Sequence, residues 1–159
     1  KGEYRLAAML HDVGKVGISD TILKKPGPFT KEERTIMQHH TNYGTELFKY
    51  SSSSMDKLAS EISLSHHENW DGSGYPGNNS NSGLKNEEIP LSGRIVKITD
   101  VYDALISERC YKHAWDEQNV LNEIDKNQGV VFDPTLVSYF MEIYETIKAV
   151  AVKYEERDH

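Results

Sequence analysis

Two adjacent histidines that run directly into a carboxylate and a glycine-rich turn constrain this chain more than any other feature. The run reads His66-His67-Glu68-Asn69-Trp70-Asp71-Gly72-Ser73-Gly74-Tyr75-Pro76. An imidazole that is removed from water needs a polar partner or a metal ion. Neighbouring residues of a helix point about 100° apart, so a guest held between helices can satisfy both imidazoles at once. The run therefore indicates a chemical site where a helix meets a loop.

Histidine and aspartate recur elsewhere in the chain, and each place has an ordinary explanation. His11 stands near a predicted helix end, where the helix dipole favours it. His40 is explained as a core histidine with a satisfied hydrogen bond, and Asp100 as an ion-pair partner of Arg94 or Lys97. Together with the paired histidines, however, they favour a metal site. Imidazole binds Fe, Mn, Zn or Ni, and a carboxylate can bridge two ions.

The apolar pattern predicts helices almost throughout. A first helix is expected over about 3–12, followed by a loop over 17–29 with several Gly and Pro residues. Thr30, with Glu33 three residues on, has the capping-box pattern and opens a helix whose spacing continues to Leu47. In this helix His40 is expected to face inward.

The second half of the chain continues the helical pattern. Ser53 or Ser54 is expected to open the helix that ends at the paired histidines, and Asp116 to open a later one. A final helix begins at Asp133-Pro134 and its apolar spacing reaches Val150. No repeat, heptad pattern or convincing pair of strands is found. The sequence therefore predicts one all-α helical-bundle domain over residues 1–159.

Charge and composition restrict the class of protein. The formal net charge of −7 argues against a surface for nucleic-acid polymers, which relies on clustered Lys and Arg. An anionic ligand would need a local positive source, such as bound divalent cations. The single cysteine, Cys110, cannot form an internal disulfide, and no apolar run approaches the roughly 20 residues that span a membrane. We expect a cytoplasmic domain without membrane contact.

The beginning of the chain predicts earlier sequence. Tyr4, Leu6, Ala7 and Met9 already follow helical spacing, without a capping residue before them. We therefore expect the domain to be N-terminally truncated here and to belong to a larger signalling protein.

These motifs resemble the HD-GYP domain, a helical branch of the HD phosphohydrolase superfamily whose members typically hydrolyse the bacterial second messenger cyclic di-GMP. The resemblance extends from about Leu6 to Phe140. It rests on four motifs, namely His11-Asp12-Val13-Gly14-Lys15, His40 with Gly44, the run from His66 to Pro76, and Asp100-Val101-Tyr102-Asp103-Ala104-Leu105. It implies a bundle of the HD-domain type, with the Gly-Tyr-Pro segment in a loop beside the metal site.

The resemblance also implies the metal ligands. It implies two or three divalent ions, Fe or Mn before Ni or Zn, and a reaction in which a hydroxide held between two ions attacks the phosphodiester. Asp12 matches the bridging carboxylate. The positions that match the family's metal ligands are His11, Asp12, His40, His66, His67 and Asp100.

Four further residues match positions that contact the substrate. Lys15 matches a lysine near the scissile phosphate, a candidate proton donor or charge stabiliser. Tyr75 matches a tyrosine that contacts the ligand, and Arg109 and Lys112 match positions that bind the nucleotide phosphates or bases. The implied products are the linear dinucleotide pGpG, GMP, or both. Without the resemblance, Lys15, Arg109 and Lys112 would be explained as solvated charges and Tyr75 as a loop aromatic.

Two departures from the family pattern keep alternatives open. The family takes a further histidine, and in some members a glutamate, from a helix upstream of His11, whereas only ten residues precede His11 here. The segment 78–82 stands as an insertion after Gly-Tyr-Pro-Gly. The alternatives are a catalytically impaired module that binds metal or nucleotide, and a phosphodiesterase for another cyclic dinucleotide such as cyclic GMP-AMP. The expected partners are the cyclic dinucleotide and an upstream sensory or receiver domain, and a homodimer is left open.

Overall fold

The computed structural model describes residues 2–77, 83–107 and 115–155, which form an assembly of helices. Within these ranges there is no β-strand, only an isolated bridge between Gln128 and Phe132. Two short 3₁₀ helices cover Val13–Gly17 and Asn86–Glu88. The α-helices are α1 (Gly2–Met9), α2 (Asp20–Leu23), α3 (Lys31–Gln38), α4 (His40–Leu47), α5 (Ser54–Ser65), α6 (Leu91–Ile106), α7 (Glu117–Lys126), α8 (Pro134–Glu142) and α9 (Tyr144–Glu155). The all-α prediction is confirmed.

Four helices begin at the residues that the sequence predicts. The Thr30 hydroxyl accepts a hydrogen bond from the Glu33 amide while the Glu33 carboxylate accepts one from the Thr30 amide, which completes the capping box of α3. Ser53 caps α5, Asp116 caps α7 and Asp133 caps α8. These caps satisfy amides that the first helical turn leaves without partners.

Two of the predicted helices are divided in the structure. In addition, the first helix of the chain is shorter than predicted. The helix predicted to run from Thr30 to Leu47 divides at His39, whose amide bonds to the Ile36 carbonyl in a tighter turn. The helix predicted from Asp133 to Val150 divides at Ile143, and α1 ends at Met9. Apolar spacing continues across both breaks, so the sequence pattern alone does not reveal them.

The break at His39 changes which side chains of the predicted inward-facing surface are buried. His40 is buried as predicted, but Ile36 and Leu47 of the same predicted face are exposed. In addition, the predicted loop over 17–29 contains the single turn α2.

Two apolar clusters form the core, and α6 contributes to both. The first joins α1, α5 and α6 through Ala7, Ala59, Ile62 and Val96. The second joins α6 to the helices that follow it and contains Ile98, Tyr102, Leu105, Val120, Ile124, Phe132, Val137, Phe140 and Tyr144. The first cluster lies beside the residues singled out as metal ligands.

Gly14 permits a close approach of two backbones that positions the site. A Cβ atom at Gly14 would lie 1.9 Å from the His40 carbonyl oxygen and 2.3 Å from the Gly44 amide nitrogen. The 3₁₀ helix Val13–Gly17 therefore rests directly on α4. This contact fixes Asp12, which immediately precedes the 3₁₀ helix, next to His40.

Among the described residues, no helix combines the length and the hydrophobicity needed to cross a membrane.

Candidate metal centre

Four of the predicted ligands converge on one point. The ligand atoms of Asp12, His40, His66 and His67 all lie within 4.8 Å of one another. Asp12 precedes the first 3₁₀ helix, His40 begins α4, and His66 and His67 follow the last turn of α5. Residues from three separate elements thus share one small volume.

Backbone carbonyls orient three of the imidazoles. Because a carbonyl oxygen only accepts hydrogen bonds, Nδ1 of each ring carries the proton, which leaves Nε2 as an available lone pair. The Nδ1 donations are from His11 to the Ala8 oxygen at 2.8 Å, from His40 to the Met37 oxygen at 2.7 Å and from His66 to the Ile62 oxygen at 3.0 Å. This is the arrangement that orients histidine ligands in metal sites.

Asp12 stands between two groups of donors. Its Oδ1 lies 3.3 Å from His40 Nε2 and 3.9 Å from His66 Nε2, while its Oδ2 lies 3.4 Å from His11 Nε2. On the far side, His11 Nε2 lies 3.8 Å from an oxygen of Asp100. One carboxylate therefore presents an oxygen to each group, which is what a bridging ligand requires.

The chemistry of the donor set fits divalent metal ions. Three buried atoms, Asp12 Oδ1, His40 Nε2 and His66 Nε2, have no hydrogen-bond partner among the described residues. Leaving such atoms unpaired costs about 1–3 kcal/mol each. Imidazole nitrogen and carboxylate oxygen are ligands for first-row divalent ions, so a bound metal would satisfy all three atoms.

The histidines differ in how readily they take up a proton. Burial lowers the pKa of His66 to about 4 and that of His67 to about 2. Burial also lowers the pKa of His40. Three imidazoles are therefore neutral near pH 7, the form that binds metal.

The pKa values of Asp12 and His11 shift in the direction opposite to the one that burial favours. The contact with Asp12 raises the pKa of His11, although burial acts against it. Burial would raise the pKa of Asp12, but the contacts from His11 and Lys15 outweigh it and hold that pKa well below its ordinary range. Asp12 is therefore a carboxylate throughout the neutral range.

These shifts predict that the metal-free protein loses stability in mild acid. Unfolded histidines take up protons below pH 6.5, whereas His66 resists protonation until about pH 4 and His67 until about pH 2. The unfolded state then binds more protons, so the free energy of unfolding falls as the pH drops from about 6.5 towards 4. The raised pKa of His11 acts the other way, but it opposes three lowered values.

Thermal unfolding in the presence of a chelator measures this effect. We expect the midpoint to fall between pH 6.5 and 4.5, and to fall less steeply in the His66→Gln variant. His39→Gln, at an exposed histidine outside the cluster, is the matched control and should leave the slope unchanged. A flat or rising midpoint in the unsubstituted protein would contradict the prediction.

Two predicted substrate contacts lie at the edge of the cluster. The Lys15 ammonium lies 2.5 Å from Asp12 Oδ2 and is partly exposed. The Tyr75 ring stacks on the His67 ring, with centroids 4.5 Å apart and an angle of 23° between the planes. The structure thus brings Lys15 and Tyr75 into contact with two different members of the same donor group.

Other predicted contacts lie outside the described residues or are present only in part. Arg109 and Lys112, and the segment 78–82, lie outside the described residues. Of the two ordinary partners considered for Asp100, Arg94 pairs with Asp133 at 2.6 Å instead, whereas attraction to Asp100 acts on the pKa of Lys97. Glu68, for which the sequence predicts no role, is buried and contacts the loop that carries Tyr75. A carboxylate placed just before a glycine-rich turn is the sequence feature from which a contact between Glu68 and that turn could have been predicted.

The chain matches a family model and several characterised proteins. The model, described as HD domain, matches residues 2–136. A cyclic di-GMP phosphodiesterase of Thermotoga maritima is 42% identical over 156 residues, 98% of this chain and 41% of that protein. The cyclic di-GMP phosphodiesterase response regulator RpfG of Xanthomonas campestris is 44% identical over 132 residues, 83% of this chain and 34% of that protein.

The name of a third relative specifies a substrate other than cyclic di-GMP. The 3′3′-cGAMP-specific phosphodiesterase 2 of Vibrio cholerae is 43% identical over 144 residues, 91% of this chain and 27% of that protein. The chain thus spans well under half the length of each of these three relatives.

Proposed function

The chain belongs to the HD domain family, in its HD-GYP branch, and we propose that it is the catalytic domain of a phosphodiesterase that hydrolyses cyclic di-GMP. The observation that carries the proposal is the cluster around Asp12, in which three buried ligand-type atoms have no hydrogen-bond partner among the described residues. The names of two relatives that align with most of the chain support the same substrate.

The proposed cofactor is a pair of divalent ions, Fe or Mn before Ni or Zn, with a third ion as an alternative. One ion would take Asp12 Oδ1 with the imidazoles of His40, His66 and His67, whose ligand atoms lie within 4.8 Å of one another. The second would take Asp12 Oδ2 with His11 and Asp100. When bound, such ions polarise a phosphodiester and lower the pKa of water, which makes water a nucleophile at neutral pH.

The residues of the chain have distinct parts in the proposed reaction. Water adds to phosphorus, the bond from phosphorus to the 3′ oxygen breaks, and the leaving oxygen takes a proton. Asp12 would hold both ions in place, with one carboxylate oxygen for each. Lys15, which lies 2.5 Å from Asp12 Oδ2, neutralises charge on the phosphate or supplies that proton. The product is pGpG, or GMP after a second cleavage.

Tyr75, stacked on His67, is the proposed contact for the nucleotide. Burial raises the pKa of its phenol, so the hydroxyl stays protonated and can donate a hydrogen bond. Arg109 and Lys112 are proposed to bind the phosphates or bases, since arginine makes bidentate contacts with phosphate. This assignment rests on the motif match alone.

The domain is proposed to act within a larger cytoplasmic signalling protein. Its relatives are longer than this chain, and one of them is named a response regulator. We therefore propose an upstream sensory or receiver domain as its partner.

A second substrate, 3′3′-cGAMP, is favoured by one observation. A relative specific for that dinucleotide is 43% identical, about the same as the relatives named for cyclic di-GMP. Identity alone therefore does not separate the two substrates.

Hydrolysis by the full-length protein, loaded with Mn²⁺ or Fe²⁺, tests both proposals. We expect a higher kcat/KM for cyclic di-GMP than for 3′3′-cGAMP, and about two metal ions per chain by elemental analysis. A preference for 3′3′-cGAMP would transfer the assignment to the second substrate. If neither dinucleotide were hydrolysed by the metal-loaded protein, the phosphodiesterase proposal would be wrong.

A further inference from the structure

Glu68 is a buried carboxylate that the proposed chemistry does not use. It follows His67 directly, and only 4% of its surface is exposed. Its Oε2 is a buried side-chain atom without a hydrogen-bond partner among the described residues, and it lies outside the donor cluster. A carboxylate in such a place is costly unless other contacts compensate. Its remaining contacts therefore indicate what it does.

Glu68 holds the loop that carries Tyr75. Its Oε1 accepts a hydrogen bond of 3.0 Å from the Gly77 amide. The Tyr75 amide, two residues earlier, donates to the His67 carbonyl at 3.3 Å. The loop is thus attached on both sides of the peptide bond between Tyr75 and Pro76, once to a backbone oxygen and once to the Glu68 side chain.

The same loop lies against the chain that leads from the metal cluster. A Cβ atom at Gly74 would lie 2.2 Å from the Asn69 nitrogen and 2.5 Å from the His67 oxygen, so the two backbones are in direct contact. Between these attachments the Tyr75 ring stacks on His67. A change in how the loop is held would therefore move the Tyr75 ring relative to the cluster.

Lys97 of α6 supplies positive charge beneath Glu68. Its ammonium donates to the His67 carbonyl at 3.3 Å, and it lines the same narrow cavity as Glu68 and Trp70. Burial lowers the pKa of Lys97, while attraction to Asp100 and Glu68 acts against that shift. Lys97 thereby offsets the buried charge and supports the same backbone oxygen that the Tyr75 amide contacts.

We propose that Glu68 is a positioning residue whose carboxylate, by holding the Gly77 amide, keeps Tyr75 stacked on His67 and so sets the affinity for the nucleotide. Glu68 itself contacts neither metal nor substrate in this scheme. The inference deepens the proposed function and rests on it for the nucleotide, whereas the attachment of the loop is independent of it.

Two conservative variants separate the reach of the side chain from its charge. Glu68→Gln keeps the length and an acceptor oxygen but removes the charge. Glu68→Asp keeps the charge but withdraws the oxygen from Gly77. In the full-length, metal-loaded protein we expect Glu68→Asp to raise KM for cyclic di-GMP roughly tenfold, the effect of losing the hydrogen bond to the Gly77 amide. We expect kcat to change less than about twofold, and Glu68→Gln to stay close to the unsubstituted protein.

A small substrate supplies the control for the metal cluster. Bis(p-nitrophenyl) phosphate is a diester without a nucleobase, so its hydrolysis should not depend on Tyr75. We expect both variants to retain its turnover and the metal content per chain. Loss of metal, or equal losses of kcat for both substrates, would show that Glu68 acts on the cluster and would overturn the proposal. Equal KM values for the two variants would overturn it as well.

Hydrogen–deuterium exchange measures the attachment without any substrate. We expect the amide of Gly77 to exchange faster in Glu68→Asp and at the unsubstituted rate in Glu68→Gln. Unchanged exchange in Glu68→Asp would overturn the positioning role. If the unsubstituted protein hydrolysed no cyclic dinucleotide, the proposed function would fail, and the exchange rates would still decide whether Glu68 holds the loop.

Discussion

Replacement of Asp12 by alanine is expected to lower kcat for cyclic di-GMP by more than about 100-fold, because losing even an outer partner of a metal ligand costs 10–100-fold. Asp12 has one oxygen 3.3 Å from His40 Nε2 and the other 3.4 Å from His11 Nε2. The Asp12→Ala variant removes the proposed ligand of both ions at once. We also expect fewer bound metal ions per chain, measured by elemental analysis beside the hydrolysis assay.

The fold should survive this substitution. Asp12 is partly exposed, with 32% of its side-chain surface accessible, and it makes no contact in either apolar cluster. Asp20→Ala is the matched control, since Asp20 is a well-exposed aspartate whose ion pair with Lys24 lies on the surface. Asp20→Ala should retain both turnover and metal. Hydrolysis by Asp12→Ala at the unsubstituted rate would contradict the proposed metal chemistry.

Replacement of Gly14 by alanine is expected to destabilise the fold by about 3 kcal/mol or more, the upper range for overpacking. The added methyl group would lie 1.9 Å from the His40 oxygen and 2.3 Å from the Gly44 nitrogen. Both are backbone atoms, so no side chain can turn away to make room. For a domain of this size the thermal midpoint should fall by roughly 6–12 °C.

Gly2→Ala is the control for Gly14→Ala. Apart from its chain neighbours and the backbone of its own helix, no atom of the described residues lies within 4 Å of a Cβ atom at Gly2, so the midpoint of Gly2→Ala should stay within about 2 °C of the unsubstituted value. Separation of the 3₁₀ helix from α4 would also move Asp12 from His40, so metal binding should weaken in Gly14→Ala. A Gly14→Ala variant with unchanged midpoint and metal content would show that this close approach does not hold the two elements together.

The sequence predicts best where one local rule acts without competition. Ser53 and Thr30 cap their helices as expected, because each needs only neighbouring amides. The approach of His40 to the paired histidines could be anticipated from residue types, since a buried imidazole needs a partner. These rules place the helix ends that carry the donor groups.

Features that depend on tertiary contact could not be predicted in this way. The break at His39 leaves the apolar spacing intact, so no pattern reveals it. Arg94 could have paired with either Asp100 or Asp133, and only the packing of α6 against the start of α8 selects Asp133. No sequence pattern predicts which residue Glu68 contacts, because the contact is made with the amide of Gly77, and any residue except proline offers an amide.

Because α6 packs in both apolar clusters, it links the C-terminal helices to the residues around His11. Val96 packs in the cluster beside the proposed metal centre, Ile98 packs in the cluster with α7 and α8, and Asp100 lies on the same helix. Asp12, His40 and His66 belong to elements that precede α6. Asp100 is the only one of the six predicted ligands that lies on α6, so a displacement of α6 by load on the C-terminal helices would act directly on the distance from Asp100 to His11, now 3.8 Å. Asp100 is thus the predicted ligand that connects the C-terminal helices directly to the proposed metal centre.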